Sequence, residues 1–164
     1  MATRNTKSYS KFTYDDLSAL GLKVVIVDLF VGETIAPVQP SAVLSEILEG
    51  ASEVSLDTEK ARSELLPLQP VPASPIIAVV EAKLSGSLAA AIPQCVAEMY
   101  ASRLWNEKRG EPIQTIYGVI TNGESWLFLR YKEGVMVEVD KITYALAKVE
   151  EVLGVLQHII NQFK

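Results

Sequence analysis

One cysteine and one histidine are the scarcest reactive residues of this 164-residue chain, and each scarcity removes a class of chemistry. With Cys95 alone, no internal disulfide can form. With His158 alone, a zinc centre built on several imidazoles is excluded. Cys95 sits among Val96, Ala97 and Met99, which reads as a small buried hydrophobe, and His158 lies in a separate amphipathic segment, so a Cys-His catalytic pair is not expected. No apolar run approaches the length of a membrane span. The opening residues Met1 to Ser8 lack the apolar segment of a secretory signal, which points to the cytoplasm. A Gly-rich phosphate loop and a nucleophile elbow are both missing. The formal charge of -5 argues against broad nucleic-acid binding, because the phosphate backbone rewards a positive surface, while leaving room for a local basic patch.

What is present is a folding composition. Hydrophobic residues make up 49% and charged residues 21%, enough for a packed core in one domain spanning 1–164. Residues 1–12 are polar and are expected to fray. Tyr14 to Leu20, followed by Gly21, reads as a short helix with a glycine stop. The β-branched run Val24-Val25-Ile26-Val27 predicts a strand over Lys23 to Leu29. Ser41 caps a helix through Val43, Leu44, Ile47 and Leu48 that ends at Gly50. Asp57 or Thr58 can cap a further helix through Leu65. The Pro-rich stretch 67–75 is a connector or an edge, since prolines lack the amide donors a central strand needs.

Pro75-Ile76-Ile77-Ala78-Val79-Val80 then reads as a buried strand closed by Glu81-Ala82-Lys83. Side chains alternate across a strand, so Glu81 and Lys83 project to one face, where a carboxylate for a metal and an ammonium for a phosphate can act together. After a helical turn at Leu88 to Ala91, a helix is predicted from Pro93 to Lys108. Ile113 to Ile120 and Ser125 to Tyr131 are strands joined at Asn122-Gly123, a strong hairpin signal. Val135 to Val139 is a third strand. The closing helix carries Leu146, Val149, Leu153, Leu156, Ile160 and Phe163 as its apolar stripe. This order gives an α/β (α+β) layer architecture around a mixed sheet.

A strand ending in Glu-x-Lys, followed by a helix with Gln94 and a further apolar strand, resembles the core of the PD-(D/E)XK, or restriction-endonuclease-like, nuclease superfamily. The segments Thr58 to Glu64, Val80 to Lys83, Gln94 to Met99 and Ile116 to Gly123 look like signatures of one uncharacterised bacterial family within it, similar to the nuclease domains of restriction-enzyme subunits. The resemblance covers about Phe12 to Ile160. It implies a restriction-endonuclease-like mixed sheet flanked by helices, Mg²⁺ as cofactor, and phosphodiester hydrolysis of DNA. It assigns Glu81 as a metal ligand and Lys83 to the attacking water or the phosphate charge. Glu64 is then the helical carboxylate and second ligand, and Gln94 a supporting polar group.

One element of the family pattern is missing. Related domains place a strand pair between the Glu64 helix and the Glu81 strand, and its second strand carries the aspartate that is the other principal metal ligand. Here no Asp or Glu occurs from Leu65 to Val80. Asp28 and Asp57 are the conceivable substitutes. The loss points to a degenerate nuclease fold, shortened by a strand pair, over a competent enzyme; the alternative is a catalytically inactive dimerisation or protein-interaction module. Without those strands the Glu81 strand has an unpaired edge, which the Lys23 to Leu29 segment or a second copy of the chain can cover, so a homodimer is expected.

Each site residue also has a plainer reading. Glu81 and Lys83 can be a salt bridge at a strand end. Glu64 can pair with Lys60 one helical turn away, and Gln94, one turn before Glu98, can serve backbone groups near the sheet. Trp105 and Trp126 are expected in the core, and Arg103, Lys108 and Arg109 suit a helix C-terminus or a phosphate.

Overall fold

In the computed structural model, residues 7–52, 75–83, 87–132 and 134–164 are described. The expected helix over Asp57 to Leu65, with Glu64, and the connector 67–74 lie outside them. Helix α1 (Tyr14–Ala19) opens with a reciprocal cap in which the Asp16 amide donates to the Thr13 hydroxyl and the Thr13 amide donates to the Asp16 carboxylate. It closes at Gly21, whose φ of 78° suits a residue without a Cβ. Strand β1 (Lys23–Val27) and helix α2 (Ala42–Ser52) follow, the latter capped by the Ser41 hydroxyl, which accepts from the Leu44 amide at 3.2 Å. After strand β2 (Ala78–Ala82), a 3₁₀ turn (Leu88–Ala91) leads into helix α3 (Ile92–Lys108). Strands β3 (Thr115–Thr121), β4 (Ser125–Lys132) and β5 (Met136–Ala145) precede a further 3₁₀ turn (Leu146–Lys148) and the closing helix α4 (Val149–Asn161). None of the described helices is long and apolar enough to cross a membrane.

The five strands form one mixed sheet in the order β1-β5-β4-β3-β2. β1 runs parallel to β5 and β2 parallel to β3, while β4 opposes both of its neighbours. Four strands therefore share a direction, and their carboxyl ends meet at one end of the sheet. β3 is buried on both sides: Ile116 and Ile120 join a core with Leu17, Val96 and Met99, and Tyr117 and Val119 join a second core with Phe128, Val155 and Ile159. Gly118 faces α3. A Cβ there would lie 2.6 Å from the Met99 sulfur and 2.8 Å from the Cys95 sulfur, so this glycine sets how closely the helix approaches.

Three sequence expectations are corrected. The Lys23–Leu29 segment does not line the Glu81 strand; β1 pairs with β5 at the opposite edge of the sheet. β5 does not stop at Val139. Its register shifts so that Leu129 faces Val139 while Leu127 faces Thr143, and the bulge at Asp140 is satisfied by that residue's own carboxylate, which accepts from the Ile142 amide at 3.1 Å. In α4 the fully buried stripe is Val152, Val155 and Ile159; of the expected stripe Leu156 and Phe163 pack against it, whereas Ile160 is 48% exposed. The close packing of Gly154 explains the rotation, since a Cβ there would sit 2.5 Å from the carbonyl oxygen of Ala36.

One side chain and one backbone contact region tie the long connections down. The buried Asn106 pairs with the backbone of Ile76 in both directions: its amide oxygen accepts from the Ile76 N–H at 2.9 Å, and its amide nitrogen donates to the Ile76 carbonyl at 2.8 Å. The segment after β1 is fixed on α4 by Gly154 and by the Val38 amide, which donates to the Glu150 carbonyl at 2.9 Å.

Asn106→Ala strands both backbone groups of Ile76 and is expected to cost about 1–3 kcal/mol. Urea unfolding measures the loss, and hydrogen exchange should quicken at the Ile76 amide first. Gly154→Ala drives a methyl into backbone that has no flexible end to yield. A cost of about 1–3 kcal/mol is expected there as well, read as a lowered thermal midpoint.

Candidate functional site

The Glu81 strand end and the first two turns of α3 meet in one polar cluster. Because Val79 packs into the α3 side of the sheet, alternation sends Glu81 and Lys83 to that same side. The Lys83 amide donates to the Thr121 carbonyl at 2.8 Å, which carries the strand geometry one residue past β2. The Lys83 ammonium lies 2.8 Å from Glu81 Oε1, as the same-face reading expects.

Gln94 joins the two charges. Its Oε1 accepts from Lys83 Nζ at 2.7 Å, and its Nε2 donates to Glu81 Oε2 at 2.6 Å. The same nitrogen donates to Glu98 Oε1 at 3.1 Å. One amide therefore holds an ammonium on one side and two carboxylates on the other, and the two carboxylate oxygens are no further apart than the sum of those last two lengths. Burial pushes the Glu98 carboxyl above the ordinary glutamate value of 4.5, and the neighbouring Glu81 charge adds to the rise. The hydrogen bond from Gln94 and the charge of Lys83 act against it.

Of the four site residues expected from sequence, Glu81, Lys83 and Gln94 are brought together, and Glu64 falls outside the described residues. Glu98 was read only as a helical neighbour of Gln94. The spacing of four residues, with Gln94 itself one helix away from Glu-x-Lys, was the signal that both would face the strand. Of the two conceivable aspartate substitutes, Asp28 pairs with Lys141 at 2.6 Å beside the opposite edge of the sheet, and Asp57 lies outside the described residues.

The remaining candidates are engaged elsewhere. Arg103 binds Glu107 at 2.9 Å and the Tyr131 hydroxyl at 3.0 Å, and Arg109 stacks 4.6 Å over the Trp105 ring. Lys108 closes α3 fourteen residues after Gln94, roughly 21 Å further along the axis. Cys95 is fully buried and burial drives its thiol well above the ordinary range, so it behaves as a small hydrophobe. Trp105 is half-buried in a groove with Tyr9, Val79 and Glu98, and Trp126 packs against the second core.

The donor set suits a hard cation. Mg²⁺ is commonly held through one or two carboxylates, with waters and substrate phosphates completing the shell. Glu81 and Glu98 supply that number. No group of three metal-ligating side chains assembles among the described residues. Compared with known proteins, the chain matches no family model, no curated protein and no solved structure.

Proposed function

We propose that the chain is a PD-(D/E)XK nuclease-like domain, reduced from the usual ligand set, in which Glu81 and Glu98 hold Mg²⁺ against a DNA phosphodiester. The observation that carries this reading is the placement of Glu98, a half-buried carboxylate kept beside a second carboxylate. Such a pair is costly to ionise, and sites that retain the cost are candidates for function. Glu98 takes the part that the missing strand aspartate plays in related domains.

The roles follow from the contacts. Glu81 and Glu98 present oxygens from a strand and a helix, so the two ligands are fixed independently. Gln94 orients both. Lys83, about one-third exposed, turns from Glu81 to the phosphate and neutralises the charge that grows on its oxygens. The cation, when bound, supplies a Lewis acid for the phosphoryl group. A second reading has its own observation: Glu81, Lys83 and Gln94 already satisfy one another, as a structural clasp of an inactive interaction module would.

Manganese titration followed by electron paramagnetic resonance separates the two. The nuclease reading expects one bound ion per chain, with affinity lowered at least about tenfold in Glu98→Gln and in Glu81→Gln. Lys83→Ala should retain the ion and lose Mg²⁺-dependent cleavage of single- or double-stranded DNA. Absence of manganese binding in the folded protein leaves the clasp.

The raised Glu98 carboxyl also makes a stability prediction. A folded-state value above the unfolded one means that the native protein binds the proton more tightly, so stability falls as pH rises from the ordinary glutamate value of 4.5 through the raised one. Glu98→Gln keeps an acceptor for Gln94 without the charge. It is expected to be more stable than the parent at neutral pH in metal-free urea titrations, and the difference should shrink as pH falls below the carboxylate range.

A further inference from the structure

At the opposite edge of the sheet lies a recess of about 580 Å³, bounded by the segment after β1, the far half of β5 and the first turns of α4. That volume is in the range of small-molecule sites. Leu29, Phe30, Ile35 and Val155 give it apolar walls, and no lysine, arginine or histidine lines it. Its walls are preset. Val38 is bonded to α4, Gly154 is in contact with Ala36, and Glu33 is held by Arg130 at 3.4 Å and by His158.

Three lining carboxylates carry no part of the argument, because each has a cation of its own: Asp28 has Lys141, Glu33 has Arg130 and Glu151 has Lys148. Asp140 differs. It is 3% exposed, and its hydrogen-bond donors are all neutral: the Leu29 amide at 3.5 Å, the Ile142 amide at 3.1 Å and the Tyr144 hydroxyl at 3.3 Å. Burial and then the Asp140 charge push the Tyr144 hydroxyl up to about 12, so it stays a donor. Among the described residues no cation offsets this carboxylate, and a buried charge without a counterion is expensive. It lines a recess large enough to admit one.

We infer that the recess binds a small organic cation, an ammonium or guanidinium carried on an apolar body, with the charge at Asp140 and the body against Leu29, Phe30 and Val155. The apolar walls disfavour a bare metal ion, which would lose hydration without replacement ligands. Asp140, with only neutral donors around it, disfavours an anion. This inference stands apart from the Glu81 cluster and from any nuclease activity.

Tryptamine and its neutral counterpart tryptophol are suitable probes, titrated into the full chain with amide NMR as the readout. Tryptamine is expected to move the resonances of Leu29 and of residues 140–144 saturably, with an affinity at least about tenfold above that of tryptophol. Asp140→Asn preserves an acceptor for the amides and should erase that preference. Ile35→Trp fills the recess without touching Asp140 and should abolish tryptamine binding in a folded protein, which keeps the inference testable if Asp140→Asn does not fold. Equal or absent binding of the two probes overturns it. So does a preference that survives Asp140→Asn, or tryptamine binding that survives Ile35→Trp.

Discussion

The close approach of α3 to β3 at Gly118 is the constraint on which the polar cluster depends. A side chain at this position would have to displace two sulfur atoms of the helix, and the helix would rise from the sheet. At the height the glycine permits, two amide side chains on α3 reach the β2 strand. Gln94 meets the charged end of β2, and Asn106 meets the backbone at its entry. The strand is thereby held along its length by a helix on one side and by β3 at its edge. Its backbone pairing on β3 is parallel and only five residues long, so these amides matter to its register.

Parallel alignment of four strands then gathers the chemistry at one end of the sheet. Glu81 and Lys83 lie at the carboxyl end of β2, and Asp28 and Leu29 lie just beyond the carboxyl end of β1. Open α/β sheets use this end for ligands because loops and helix starts converge there. Here the polar cluster and the apolar recess occupy the two extremes of the same end, so each can be altered without contact with the other.

Much of this was legible from local patterns. The Gly21 stop, the Ser41 cap, the Asn122-Gly123 hairpin and the same-face placement of Glu81 and Lys83 all rest on interactions within a few residues, and the structure keeps them. The expectations that failed were tertiary. Strand alternation says nothing about which neighbour β1 selects, so its pairing with β5 could not be read from Val24 to Val27. The extension of β5 depends on an aspartate that repairs its own bulge, whereas the strand read from sequence runs only from Val135 to Val139. The α4 stripe was rotated because Gly154 looks like a weak helical residue until the Ala36 backbone is placed against it. Glu98 was hidden for the same reason: its spacing from Gln94 was visible, but its proximity to Glu81 exists only once α3 crosses the strand.

Electrostatics distinguishes the two ends of this arrangement. Glu98 is near an ammonium, yet burial and Glu81 together outweigh Lys83 and the Gln94 bond, and its carboxyl is raised. Asp140 is more deeply buried and receives two backbone amides and a phenol, all of them neutral donors. One carboxylate thus sits beside a second carboxylate and the other among neutral donors. A divalent cation would relieve the first by replacing repulsion with coordination. What the second offers a ligand is a carboxylate oriented by the backbone in an apolar setting, where a single complementary charge has its greatest effect.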